Sequence, residues 1–248
     1  ISTGLVGSEM CIRDSVCRIT RIINNPSGHA LLVGVGGSGK KSLSRLASFI
    51  CGYQTSTIQI SATYGINDLK TDLQEMYKKA GIKGEGVMFL FTDAEITNER
   101  FLVYLNDLLG SADIAGLYAQ DEKDEVIGSV TKKAKAAGFA PEPGPVYDFF
   151  LQEVRRNLHV CLCCSPVGPD FSTRCQRFPA LVNCTVIDWF QPWPEQALYS
   201  VGCKFLEAIE DLGGDAVRAQ LQTFMPELAG STNAMATTFK QMEGRFVY

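Results

Sequence analysis

The stretch Gly34-Val35-Gly36-Gly37-Ser38-Gly39-Lys40-Lys41-Ser42 constrains this chain more than any other, because four glycines and a lysine directly follow the apolar run "HALLV". The core G-x-x-x-x-G-K, set between a predicted strand and a predicted helix, is a phosphate-binding loop. Its glycines let backbone N–H groups turn inward around a β-phosphate, the helix N-terminus adds its dipole, and Lys40 reaches the β- and γ-oxygens. All nine residues from Gly34 to Ser42 are read as the nucleotide-binding set. A merely flexible strand-to-helix turn leaves Lys40 without a purpose.

One position in the loop is unusual. A hydroxyl directly after the lysine normally coordinates Mg²⁺, but Lys41 stands there and Ser42 comes one residue later. A one-residue step on a helix rotates the side chain by about 100°, so Ser42 is no simple substitute. Either magnesium is held through water and a strand-end carboxylate, or it is bound weakly. Nucleotide binding survives such a change more easily than fast hydrolysis does.

The strand-end carboxylate is Asp93, which follows the apolar run "VMFLFT". An open α/β sheet places its ligands at the carboxyl ends of its strands, so Asp93 is the candidate for Mg²⁺, directly or through water. A water-polarising glutamate normally comes next, but Ala94 occupies that place and Glu95 follows it. Ser165, after "CLCC", stands where a polar side chain could touch a γ-phosphate, and capping of the strand end explains it equally well. Arg174 and Arg177, before the fifth predicted strand, read either as a guanidinium aimed at a neighbouring subunit's nucleotide or as surface ion pairs.

Composition bounds the rest. With 248 residues, 46% of them hydrophobic, the chain can bury a sizeable core as one large domain or one and a half. A net charge of −4 lacks the basic footprint of a nucleic-acid binder. No apolar run approaches the roughly 18 to 20 residues of a membrane span, so neither nucleic acid nor membrane is an expected partner. Nine cysteines, an odd number, with only His29 and His159 beside them, read as reduced thiols and not as a zinc site. The run "LHVCLCCS" is expected to be a buried central strand.

Residues 1–15 show no strand or helix period. They resemble a translated sequencing-adapter remnant and are set aside as a non-native leader. A short helix over "VCRITRII" then leads into the first strand, and Leu43, Leu46, Ala47 and Ile50 mark one face of the helix after the loop. Further strands are expected at "STIQIS", "GVMFLF", "LHVCLCCS" and "ALVNCTVIDWF", with helices between them. One of these helices is capped by Asn67 and carries Leu69, Leu73, Met76, Tyr77 and Ala80, another runs over "NERFLVYLNDLLG" to Gly110, and a third covers "VYDFFLQEVRRN". Residues 111–146 read as loop-rich, with "DEKDE" a solvated face. The pattern predicts an α/β fold: a three-layer α/β/α parallel sheet over 16–190. Residues 191–248 form a partial helical small subdomain, with Pro194 at a first helical position and Ser231 or Thr232 capping a last helix. The chain stops mid-pattern at Tyr248 and is expected to be a fragment.

These stretches resemble the AAA+ ring of dynein heavy chains, and within it the fourth AAA+ module of axonemal dyneins. "GHALLVGVGGSGKKSLSRLA", "FLFTDAEI", "FLVYLNDLL", "CCSPVG", "FPALVNCTVIDWF" and "WPEQAL" carry the likeness, which spans essentially Val16 to Tyr248. The resemblance implies a regulatory site for ATP or ADP with Mg²⁺, slow or inactive in hydrolysis, in a minus-end-directed microtubule motor of the cilium or flagellum. It implies that Gly34, Gly39 and Lys40 bind phosphates, Asp93 binds magnesium, and Arg174 or Arg177 faces the nucleotide of the preceding module. Ser172 and Gln176 stand where the family is often basic, which leaves the choice of arginine open. Implied partners are the neighbouring modules of the same heavy chain and, through the whole protein, intermediate chains, light chains and microtubules. The piece is expected to end before the microtubule-binding stalk. The alternatives are a hydrolysis-competent module with Glu95 as base, a vestigial structural module, and a free-standing P-loop NTPase, for which 111–146 offer no substrate-binding signature.

Overall fold

The computed structural model describes residues 3–61, 63–166, 169–191, 193–209 and 213–244, with side chains from Ile12 onward except that of Pro169. Five parallel strands form one sheet: β1 (Ala30–Val33), β2 (Gln54–Thr57), β3 (Val87–Thr92), β4 (Leu158–Cys164) and β5 (Val186–Trp189). Their spatial order is β2-β3-β4-β1-β5, all neighbours pairing in parallel.

The alternation of side chains along each strand divides the core into two. Leu31, Val33, Phe89, Phe91, Val160 and Leu162 point to one face, and Ala30, Leu32, Met88, Leu90, Cys161 and Cys163 to the other. The second face is covered by α1 (Thr3–Ile23) and α2 (Lys40–Ile50) through Ile19, Ile23 and Ala47. The first is covered by α3 (Ile66–Tyr77), α4 (Phe101–Gly110), α5 (Gln120–Ala136) and α6 (Pro143–Asn157), with Leu73, Leu105, Val130 and Phe150 fully buried. Helix α3 continues as a π-helical turn over Lys78–Lys83 that buries Ala80 and closes at Gly84, φ 75°. The three-layer parallel architecture follows from continuous apolar runs with period-2 facing, and the cysteine run is the strand the sequence predicts.

The chain leaves β1 toward one face through α2, and leaves β4 toward the other through α7 (Pro169–Arg177) and α8 (Ala180–Asn183). Adjacent parallel strands whose connections diverge in this way open a crevice at their carboxyl ends. The glycine loop lies there.

Several expectations are corrected. Residues 3–15, set aside as lacking a period, are the first half of α1; Ile1 and Ser2 lie outside the described residues. On α2 the buried residues are Ser44, Ala47 and Ser48, while Leu46 and Ile50 face outward with Phe49. β2 pairs over 54–57, not 56–61, and α3 is capped at Gly65, whose N–H donates to Asp68, not at Asn67. Residues 98–100 form a turn before α4. The "DEKDE" segment is not loop but the first turn of α5, which buries Val126, Val130 and Ala134 at four-residue spacing; helix α6 likewise starts at Pro143, before Val146. Ala180–Asn183 is helical, so of the strand expected over 180–190 only Val186–Trp189 forms β5.

After β5 come α9 (Glu195–Glu207), with Pro194 as its N-cap, not its first turn, and α10 (Asp215–Glu243). Helix α10 passes unbroken through Ser231 and Thr232, where a new cap was expected; the Thr232 hydroxyl donates instead to Leu228 O at 2.8 Å within the helix. The expected helix ends at 210–212 and 245–246, like Val167 and Gly168 of "CCSPVG", fall outside the described residues.

Candidate functional site

The glycine loop is built by backbone geometry. Gly37 and Gly39 adopt φ of 74° and 83°, the left-handed region where a Cβ is strained. A Cβ at Gly36 or Gly37 would meet nothing within 4 Å, so the concave side of the loop is open. At its two ends the loop is tightly packed: a Cβ at Gly34 would lie 2.7 Å from Phe190 Cβ, and one at Gly39 would lie 2.8 Å from Trp193 Cζ2.

Lys40 is the first residue of α2 and folds back over the loop. Its Nζ donates to Gly34 O at 2.6 Å, Val35 O at 2.8 Å and Ser38 Oγ at 3.1 Å. Burial pushes the Lys40 pKa down, and the neighbouring Cys163, Asp93 and Cys164 partly oppose that shift. The ammonium thus sits at the mouth of the cradle, with its three protons on loop acceptors that a phosphate oxygen can replace.

The acids stand at the end of β3. Asp93 Oδ1 accepts the Ala94 N–H at 2.9 Å, and Oδ2 accepts the backbone N–H of Ser165 from the end of β4, also at 2.9 Å. Ser165 therefore meets Asp93 through its backbone. Glu95 closes a capping box, its Oε2 accepting the Thr92 N–H at 2.8 Å, and its Oε1 lies 3.8 Å from Lys41 Nζ. Glu95 thus has one oxygen hydrogen-bonded and the other facing the Lys41 ammonium without a hydrogen bond. Ser42 is exposed in the first turn of α2. Asp93 keeps a lone pair on each oxygen but has no hydroxyl partner from the position after Lys40. That donor set fits a magnesium held by nucleotide and water with Asp93 behind it, and does not fit one clamped by the loop. Among the described residues no group of three or more His, Cys, Asp or Glu is placed to hold a metal ion by itself.

The two arginines of α7 part company. Arg174 lines a partly open pocket of about 360 Å³ together with Asp93, Ser165, Cys164 and Leu181, and its buried Nε has no hydrogen-bond partner. Arg177 lies on the surface, paired with Glu99 at 2.5 Å.

Sequence reasoning missed the opposite wall of the cradle. A recess of about 130 Å³ beside the loop is lined by Arg18, Ser38, Leu43, Phe190, Trp193 and Ala197. Arg18 is fixed by Asp188 of β5 at 2.6 Å. The signal was the aromatic cluster "DWFQPW", which begins inside the fifth strand and runs on past its carboxyl end beside the adjacent β1.

The comparisons with known proteins agree with this geometry. The family described as P-loop containing dynein motor region D4 matches residues 5–248. The dynein alpha chain of the flagellar outer arm from Chlamydomonas reinhardtii is 52% identical over 233 residues, covering 94% of this chain and 5% of that protein. The beta chain of the same arm is 46% identical over 235 residues, covering 95% and 5%. Human dynein axonemal heavy chain 17 is 46% identical over 233 residues, covering 94% and 5%. The chain thus spans about one twentieth of the length of these relatives. With its open glycine cradle at the crevice of a parallel sheet, the chain belongs to the dynein motor region D4 family, a P-loop AAA+ module of axonemal dynein heavy chains.

Proposed function

We propose that this module binds ATP or ADP as a regulatory site with slow or no hydrolysis, within a minus-end-directed microtubule motor of the ciliary or flagellar axoneme. The observation that carries the reading is the contrast inside the site. The glycine loop and Lys40 are in place, whereas Glu95 stands one residue beyond the usual water-polarising position, with one oxygen accepting the Thr92 N–H and the other facing the Lys41 ammonium at 3.8 Å. A carboxylate so engaged is a poor orienter of attacking water.

In this reading phosphates lie on the open side of Gly36 and Gly37, at the N-terminus of α2, and Lys40 turns from the loop carbonyls to the β- and γ-oxygens. The base enters the recess beside Trp193, and Arg18, held by Asp188, flanks it. Magnesium, when bound, supplies neutralising charge to the phosphate oxygens, with Asp93 holding its water shell. Ser165 keeps Asp93 oriented through its backbone N–H. Arg177 is the arginine directed at the nucleotide of the preceding module, because it lies on the surface while Arg174 is turned into the sheet. The neighbouring modules of the heavy chain are the direct partners. Intermediate chains, light chains and microtubules are engaged by the whole protein, as the relatives named axonemal and flagellar dynein chains suggest.

Lys40→Ala removes the cation at the cradle mouth and is expected to abolish binding of a fluorescent ATP analogue, measured by anisotropy. Unchanged binding overturns the assignment. Turnover in the unaltered module that Glu95→Gln removes would establish the rival reading of a competent ATPase.

A further inference from the structure

Lys41 is the residue in this site that the phosphate-cradle reading leaves without a task. It occupies the first turn of α2, where a hydroxyl would hold magnesium, and its ammonium reaches across to Glu95 Oε1, 3.8 Å away. Glu95 is anchored in turn to the last residue of β3 through the Thr92 N–H. The Lys41 charge is also felt at the Cys163 thiol near the end of β4, where it joins Cys161, Lys40 and Ser44 in lowering that thiol's pKa against the effect of burial. The ammonium therefore stands over the carboxyl ends of β3 and β4, on the side of the cradle where Asp93 lies.

Charge bookkeeping gives that position its meaning. Lys40, Lys41 and Arg174 balance Asp93, Glu95 and Asp170, so the phosphate end of the site is neutral before any metal enters. With threonine at 41 the three carboxylates would outnumber the two remaining cations, and a polyphosphate would then need a divalent cation to approach them. A lysine suits the task, since its compact point charge rides on a flexible stem and can leave one carboxylate oxygen for a phosphate oxygen.

We infer that Lys41 is a built-in cation that takes the place of loop-held magnesium, so that nucleotide binds this site with an affinity independent of divalent metal. The inference rests on the nucleotide-site reading above and adds to it the charge that the ligand carries into the site: the metal-free polyphosphate is bound as well as its magnesium complex.

The test uses the full 248-residue chain, with mant-ATP as the probe, in magnesium and in excess EDTA. Circular dichroism melts confirm that each variant is folded. The unaltered chain is expected to hold mant-ATP equally in both buffers, within about a factor of three. Lys41→Thr is expected to lose about tenfold to a hundredfold more affinity in EDTA than in magnesium, the range of a charge-assisted hydrogen bond. Lys41→Arg, which keeps the charge, is expected to stay tolerant of EDTA. If the unaltered chain loses binding in EDTA as far as Lys41→Thr does, the inference is overturned, while the nucleotide site stands as long as Lys40→Ala abolishes binding in both buffers. If Lys40→Ala leaves binding intact, the cradle itself falls and the inference with it.

Discussion

The central strands β1 and β4 end in two different ways. At their amino ends sit His29 and His159, both almost wholly buried, with ring nitrogens spent on contacts inside the fold. His29 Nδ1 accepts the Val160 N–H at 3.0 Å, while the His159 ring nitrogens lie 2.9 Å from Gly28 O and 3.2 Å from Arg156 O, and the ring stacks on Tyr53. At their carboxyl ends the same two strands deliver Gly34 and Ser165 to an open crevice, where Lys40, Asp93 and Lys41 make contacts that a ligand can replace. The difference separates polar groups that hold the sheet together from polar groups that the sheet holds out. It also warns against reading the chain's two histidines as catalytic.

Acid should break the closed end first, with the largest effect. Burial, followed by the neighbouring His159, lowers the His29 pKa from 6.5 to about 4. A base with a depressed folded pKa takes up its proton first in the unfolded chain. Its stabilising contribution is therefore complete above pH 6.5 and is lost as pH falls from 6.5 to about 4. The whole shift amounts to about 3 kcal/mol. Urea melts across that interval should show the loss, and His29→Gln should reduce it, with His159, whose pKa burial also lowers, supplying the remainder. A stability that stays level from pH 7 to pH 4 would mean that the ring is not committed to the fold.

The junction between strand and cradle comes next. A methyl at Gly34 meets Phe190 Cβ at 2.7 Å and both Phe190 O and Ser38 Oγ at 3.0 Å, so something must shift. Gly34→Ala is expected to cost about 1 to 3 kcal/mol, the usual range for overpacking, and to weaken nucleotide binding by displacing Ser38. If binding falls while the urea midpoint stays put, the loop moves independently of the strand, which would sharpen the division between the two ends.

The legibility of the chain follows the same division. The closed part was readable where burial is continuous: "VMFLF" and "HVCLC" can be little other than central strands. It was unreadable at the edges. β2 buries none of its four residues, and β5 exposes Val186, Ile187 and Trp189, so no alternation marks where either begins. Helix α5 was hidden because only three small or branched residues at four-residue spacing face inward from a charged surface. At the open end, contacts within the loop were legible because they are local in sequence. The Lys41–Glu95 pair and the Trp193 lid over Gly39 were not, since the strand order, not the spacing, brings them together. Arg174 and Arg177 are three residues apart, nearly one helical turn, and only the packing of α7 turns one inward and leaves the other outside.

That outward arginine gives the smallest expected effect and the most delicate test of the contrast. Arg177 and Glu99 form a close ion pair, yet their side chains are 60% and 52% exposed. Pairs this wet are worth between nothing and about 1 kcal/mol, since each charge already enjoys solvation and both side chains lose rotamer freedom on pairing. Arg177→Ala should therefore leave the urea midpoint of the isolated chain within about 0.5 kcal/mol of its original stability. A loss of about 2 kcal/mol would show instead that Arg177 pins the 97–100 turn to α7. It would then belong with His29 among the groups consumed by the fold, which would count against the proposed role toward a neighbouring module's nucleotide.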